Sequence, residues 1–423
     1  MLGPLSEIAR QRQVPLVALV LDTLRRLRRP VTLLAVCPNS EAVTRAALVS
    51  AQTHDYPLLL AATLNQVDLD GGYTGWTPSD LSAFVRRSAG QLGFKGDVAI
   101  CSDHCGPYCK DRHRLEAWPL APSMWGAGVS LVACMQAGYD LLHVDPTVDI
   151  TLPGGPDMGT VVARTVELIA GVERFRRLGG YPAVGYEVGT EEVQGGGLSG
   201  DRSLRRFLER LRSGLMAAGL ADVWPQFVVG GVGTELHTAR FDPPTASALV
   251  AVADAFGAAV KGHYTDGCEN LDAYPASGMG GANVGPDLTM AEYQALEALA
   301  DTEARLAADG RCMASYFLET LEQAVVRSGR WEKWRLPDEK GRDFSELSTH
   351  RRRWMVQACS RYVWRTPEVV SARRRLMETL SDQGIDGERQ VVDAVAVRLQ
   401  RYVAAFNLEG TASALLAYLS PSP

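Results

Sequence analysis

Between residues 30 and 290, short apolar runs alternate with longer segments whose apolar residues recur three and four apart. The runs are 31–37, 58–66, 98–105, 141–147, 183–189, 227–233, 259–266 and 281–288. Near-continuous apolar runs predict strands buried on both faces, as in a parallel sheet covered by helices. The periodic segments 41–50, 78–92, 158–175, 203–218, 243–256 and 290–306 supply those helices. Eight such units in roughly 260 residues predict a closed (β/α)8 TIM barrel. A doubly wound open sheet ranks second, because it would use fewer strands.

After residue 310 the strand pattern stops. Segments rich in Arg, Leu and Ala over 313–327, 349–364, 367–380, 387–406 and 410–419 predict helices, broken at Leu336-Pro337 and at Gly384. The expected organisation is a barrel with an N-terminal helix over 1–310 and a helical C-terminal region over 311–423. The apolar stretch 14–21 is too short to span a bilayer and reads as the packed face of a helix continuing through Arg25-Arg26.

Composition narrows the classes of function. An apolar fraction of 46% provides for a substantial core, and a net charge of −6 argues against a nucleic-acid partner. Eight cysteines without the dense spacing of a secreted scaffold suit a reducing cytoplasm. The expectation is a cytoplasmic protein with neither nucleic acid nor membrane among its partners.

In a TIM barrel, polar residues at strand C-termini converge on one mouth. Here they are Asn65 and Gln66, Asp103 and His104, His143 and Asp145, Glu187 and Glu191, Lys261, His263 and Asp266, and Asn283. His143 with Asp145, and Lys261 with His263, are two apart and share a strand face, where an unpartnered polar pair would be costly. One reading is a divalent metal, zinc or another, held by His104, His263 and a carboxylate from Glu187 or Glu191, open to a substrate oxygen. The other is a set of hydrogen-bonded histidines at the barrel mouth. Asp103, Asp145 and Glu191 are the candidate catalytic carboxylates.

Four further features carry less. The thiols Cys101, Cys105 and Cys109 lack the spacing of structural zinc or iron–sulfur sites. Lys261 as a Schiff-base amine is an alternative route to carbon–carbon cleavage. Gly230-Gly231-Val232-Gly233 does not fit a dinucleotide turn and reads as close backbone packing. The runs Arg351–Arg353 and Arg373–Arg375 read as solvated helix faces or a phosphate contact.

Asn65-Gln66-Val67, Gly71-Gly72-Tyr73-Thr74-Gly75, Thr77-Pro78, Asp103-His104 with Gly106-Pro107 and Cys109, and His143-Val144-Asp145 together resemble the Z-type subunit of class II tagatose-bisphosphate aldolase. Gly189-Thr190-Glu191 before Gly195-Gly196, Gly233-Thr234 with Phe241-Asp242-Pro243, His263 with Asp266, Asn283-Val284 with Pro286, and Arg361-Tyr362-Val363-Trp364 extend the resemblance across nearly the whole chain.

The resemblance implies a barrel related to zinc-dependent ketose-bisphosphate aldolases. It makes Asp103 the proton-transfer group, His104 and His263 metal ligands, and Asn283 a substrate contact. Gln66, Tyr73, Thr74, Lys261, Asp266 and Arg361 are the other expected substrate-binding residues. Two departures accompany it. The strand-six His ligand of the catalytic relatives has no counterpart at Val232-Gly233-Thr234, and His237 lies further along the loop. Their Gly-x-Ser-Gly phosphate turn is replaced by Tyr264-Thr265-Asp266-Gly267, which suggests a substrate unphosphorylated at that end. The expected function is therefore metal-dependent aldol cleavage or C4 epimerisation of a ketose. The alternative is a non-catalytic subunit stabilising a class II aldolase. Expected partners are a small sugar or sugar phosphate, a catalytic aldolase subunit and a second copy of the chain.

Overall fold

The computed structural model describes residues 3–189, 200–235 and 238–420. The eight expected strands close into a parallel barrel: β1 (Leu33–Val36), β2 (Leu58–Thr63), β3 (Val98–Cys105), β4 (Leu141–Val144), β5 (Gly185–Gly189), β6 (Phe227–Val229), β7 (Ala259–Gly262) and β8 (Gly281–Val284). Each pairs with its neighbours in sequence, and β8 returns to β1 with Leu33 opposite Gly281. A short hairpin, Thr234–Glu235 with Thr238–Ala239, stands in the loop after β6.

Most strands stop short of their apolar runs. β7 ends at Gly262 and β8 at Val284, while 263–266 forms loop and Pro286 begins the helix Pro286–Ala308. Residues at the barrel mouth are buried whether or not they pair, so apolarity overruns the ladder. Helix Leu120–Gln136 was absent from the sequence expectation because it is apolar all round and interrupted by Gly126 and Gly128, leaving no one-sided stripe.

Two N-terminal helices, Pro4–Gln11 and Leu16–Leu27, are tied to the residues that lead into β3 and β4. Asp97 accepts the Leu5 and Ser6 amides at 3.1 and 2.7 Å, and Asp140 accepts those of Leu16 and Val17 at 2.7 and 2.9 Å. Each carboxylate thereby satisfies orphan donors at a helix start.

Helices Phe317–Ser328, Thr349–Cys359 and Pro367–Asp382 surround a second core containing Trp331, Trp334, Phe344 and Trp364, which reaches back to Leu296 and Leu299. The last two helices, Gly387–Ala405 and Thr411–Leu419, return to the barrel, where Val395, Leu399, Tyr402, Phe406 and Leu415 join its core. Helix Gly387–Ala405 packs against both Glu41–His54 and Pro286–Ala308, covering the seam between the first and last strands. Among the described residues, no helix is long and apolar enough to cross a membrane.

Candidate active site

The centre of the site is a break in regularity. Pairing between β3 and β4 shifts register between Ser102 and Cys105, and there His104 takes a φ of 45°. Bulges and left-handed non-glycine residues cost free energy and re-aim side chains. Gly106 follows because a Cβ at that position would lie 1.8 Å from the Asp145 carbonyl oxygen. The end of β3 is thus pressed onto the end of β4, with Asp103 and His104 lining the mouth.

His104 Nδ1 donates to Asp145 Oδ2 at 2.7 Å, while Asp145 Oδ1 accepts the Thr147 amide at 3.2 Å and its hydroxyl. Both oxygens of Asp145 are therefore spent on fixing the imidazole and the following turn, which makes Nε2 the outward nitrogen of His104. Burial by itself would depress the His104 pKa, but Asp103 and the Asp145 bond outweigh it and raise it to about 9. His143 donates from Nε2 to the Gly189 carbonyl at 2.7 Å; its Nδ1 lies 3.0 Å from the His104 amide and 3.2 Å from Asp103 Oδ1. His263 Nε2 stands 3.1 Å from Glu187 Oε1 and 3.6 Å from Asp103 Oδ1.

One ligand atom from each of Asp103, His104, His143 and His263 lies within 4.8 Å of the other three. This donor set, one carboxylate and three imidazoles, fits a divalent ion, and the Asp145 bond is the usual way of orienting a ligating His. Asn283 Nδ2 donates to Asp103 Oδ2 at 3.2 Å, leaving its buried Oδ1 without a hydrogen-bond partner among the described residues. Asn283 also lines the cavity at the barrel mouth.

The gathering differs in part from the sequence-based set. His104 and His263 meet as expected, but Glu187 is engaged elsewhere: its Oε2 bonds Lys261 Nζ at 2.7 Å, and both side chains are fully buried. His143, placed at a strand end by the sequence but given no role, is the third imidazole, supplied by β4 rather than β6. Glu191 and His237 lie outside the described residues. Lys261 is held as an ammonium: burial favours the neutral amine, yet Glu187 outweighs it and raises the pKa. A charged, fully paired amine is a poor Schiff-base nucleophile. No cysteine joins the cluster among the described residues.

The cavity above this centre is about 250 Å³, just under the roughly 300–1,000 Å³ of drug-sized pockets. Gln66, Tyr73, Asp266 and Asn283 line it from the barrel, and Arg361 and Tyr362 from the helical region. Asn39 was missed by the sequence reading; its Oδ1 accepts Gln66 Nε2 at 2.5 Å and the Tyr73 hydroxyl at 3.1 Å, joining two expected substrate contacts. Thr74 and Lys261 do not reach the wall. The Thr74 hydroxyl donates to the Gln66 carbonyl at 2.6 Å, and a Cβ on Gly72 would lie 2.4 Å from the same oxygen, so this loop is folded tightly onto Gln66. The arginine runs are ion-paired in part, Arg351 with Glu339, Arg353 with Glu297 and Arg373 with Glu292.

Asp266 Oδ1 accepts the Gly285 and Asp287 amides at 3.0 and 2.8 Å, occupying the start of helix Pro286–Ala308. Burial raises its pKa from 3.8 to about 6. Between those values the folded chain keeps a proton that the unfolded chain has lost, so stability falls as pH rises and levels off above the folded value. A shift of this size corresponds to about 3 kcal/mol. The gain in unfolding free energy of Asp266→Asn over the parent should therefore grow by about that amount between pH 4 and 7. A difference independent of pH, measured by denaturant titration, would contradict this.

A closed parallel barrel with a histidine–carboxylate cluster at its C-terminal mouth defines a TIM-barrel protein whose cluster could hold a metal ion. Residues 20–417 match the family described as D-tagatose-1,6-bisphosphate aldolase subunit GatZ/KbaZ-like, and the chain belongs to that family. A probable tagatose 6 phosphate kinase from Sinorhizobium meliloti 1021 is similar in structure, with a TM-score of 0.72 at 24% identity, over 88% of this chain and 100% of that one. A fructose-bisphosphate aldolase from Campylobacter jejuni matches at a TM-score of 0.51 and 10% identity, over 91% of this chain and 92% of the other. These likenesses show a shared fold.

Proposed function

We propose that this protein is a metal-dependent, aldolase-like enzyme of carbohydrate metabolism that cleaves or epimerises a ketose by retro-aldol chemistry. The observation that supports it most is the convergence of Asp103, His104, His143 and His263 under a sugar-sized cavity. A bound divalent ion, zinc or another, would act as a Lewis acid on the ketose oxygens. His104, His143 and His263 would hold it, and Asp145 would keep the His104 ring in place.

Asp103 is the proton-transfer group. Burial alone would raise its pKa, but the surrounding imidazoles and Lys261 hold it well below the usual carboxylate range, so it is ionised and able to accept a proton. It takes the proton of the C4 hydroxyl as the C3–C4 bond breaks, a carbonyl forms at C4 and the electron pair of the broken bond passes into the C1–C3 fragment as an enediolate. Re-addition of C3 to the other face of the aldehyde, with the proton returned to the C4 oxygen, would give epimerisation; protonation of the enediolate at C3 and release of both fragments would give cleavage. Asn283 holds Asp103 through Oδ2 and offers its free oxygen to a substrate hydroxyl. Gln66 and Tyr73, anchored on Asn39, form part of the cavity wall, where the Tyr73 ring meets that of Tyr362 with centroids 5.1 Å apart.

A second reading has its own support, since the family is described as an aldolase subunit. In it the chain stabilises a catalytic aldolase partner and turns over nothing alone. Purified chain should carry about one divalent ion per molecule, as the one cluster of four donors among the described residues implies. Chelation should abolish ketose turnover, and zinc should restore it. Absence of stoichiometric metal would overturn the enzyme reading. Inactivity of the metal-loaded chain alone, with activity raised in an added aldolase partner, would establish the second.

A further inference from the structure

We propose that a second copy of this chain docks on the outer face of helix Leu120–Gln136 and the loops beside it, forming a dimer with two-fold symmetry.

Helix Leu120–Gln136 has no charged residue in 17 positions. Its neighbours on the barrel wall expose theirs, Arg86 and Arg87 on Pro78–Gln91 and Glu167 and Arg174 on Met158–Leu178. A helix that is apolar on every side belongs in an interior. Here, however, Pro122 and Trp125 are exposed and Val129 is half-buried, three and four positions apart along one face. Trp125 is 74% exposed. A large aromatic ring left in water on an uncharged helix is suited to anchoring an interface.

Three loops widen this face. Leu115 is 84% exposed. His113, two residues before it, stacks on Trp118 with ring centres 4.5 Å apart, and a Cβ on Gly126 would lie 3.4 Å from its Nε2, so this loop rests on the helix beside Trp125. On the next loop, Asp68 accepts the Ser130 hydroxyl at 2.7 Å, which brings the exposed Leu69 to the helix. Ile150 and Leu152, also exposed, follow Asp149, which pairs at 2.8 Å with Arg164 on the adjacent helix Met158–Leu178.

Charge and area both name a second copy as the occupant. The rim carries both signs equally, Arg112 with Glu116 at 2.9 Å and Arg114 with Asp111 at 2.6 Å. A rim of one sign would repel its own image across a two-fold axis, whereas a balanced rim allows the patch to face itself. The five exposed side chains leave on the order of 500 Å² of apolar surface, the scale of the largest patch on a typical monomer. A two-fold axis uses that patch twice, for about 1,000 Å² in all, the size at which specific interfaces begin. The loops involved follow Gln66, His104 and Asp145 in sequence. Each copy thus braces segments that lead away from the other's histidine–carboxylate cluster.

Sedimentation velocity of the full chain at micromolar concentrations tests this without any assumption about activity. A dimer is expected for the parent. Trp125→Glu should weaken association about thirtyfold or more, the loss of an interface hot spot expressed as affinity. Leu115→Arg, in an exposed loop, should weaken it as well and serves should Trp125→Glu fail to fold. Met313→Glu, which alters an exposed apolar residue of the helical region, should leave the dimer intact. A monomeric parent, or a dimer that survives both patch variants, would overturn the proposal. So would a monomeric parent that binds an added class II aldolase subunit and loses it in the patch variants, because the face would then belong to that partner.

Discussion

Asp103→Asn is expected to lower ketose turnover by about 10²–10⁴-fold, the range of general acid–base catalysis, while the bound metal stays in place. The substitution keeps the shape of the side chain but removes its capacity to take a proton. Three imidazoles, on β3, on β4 and directly after β7, remain to hold the ion. The distinguishing measurement pairs steady-state rates with metal content on the same preparation. Should activity and metal fall together, Asp103 would be a ligand first; should activity persist, it would leave the mechanism.

The second large effect concerns stability. Lys261→Met leaves the Glu187 carboxylate, wholly buried, facing only His263 and His143. Breaking one side of a buried ion pair typically costs about 3–5 kcal/mol, because the surviving charge loses its ionic partner and cannot hydrate. For domains stable by roughly 5–15 kcal/mol this is a large fraction. Lys261 is the largest influence holding the Glu187 pKa down to about 2 against the desolvation that would raise it. The double variant Lys261→Met with Glu187→Gln should recover much of the loss, since a neutral amide can still bond His263. Denaturant unfolding decides the matter. A cost for the single variant below about 1 kcal/mol, the level of an exposed pair, would show that the pair is solvated.

The strands were legible because they are buried on both faces, and Asp103, His104 and His263 because polar residues interrupt apolar runs. What could not be read was depth. Glu187 and His143 lie directly opposite one another across β5 and β4, yet one joins the deeper Lys261 pair while the other reaches the cluster. That depends on the stagger between strands of a closed barrel, a non-local property. Thr74 was legible as an expected substrate contact, but not that its hydroxyl turns inward to the Gln66 carbonyl. Arg361 became a candidate only through resemblance, since its position at the mouth depends on how a region remote in sequence folds over the barrel.

Helix Gly387–Ala405 covers the seam where β8 meets β1. A ribosome therefore completes every strand of the wall well before it makes the cover for the join. Until then the apolar faces of Glu41–His54 and Pro286–Ala308 have no lid in the emerging chain, and such exposed surface invites aggregation. Chains released before residue 387 would form a sheet with an open flank and become clients for chaperones, even though every residue of the histidine–carboxylate cluster had already been made.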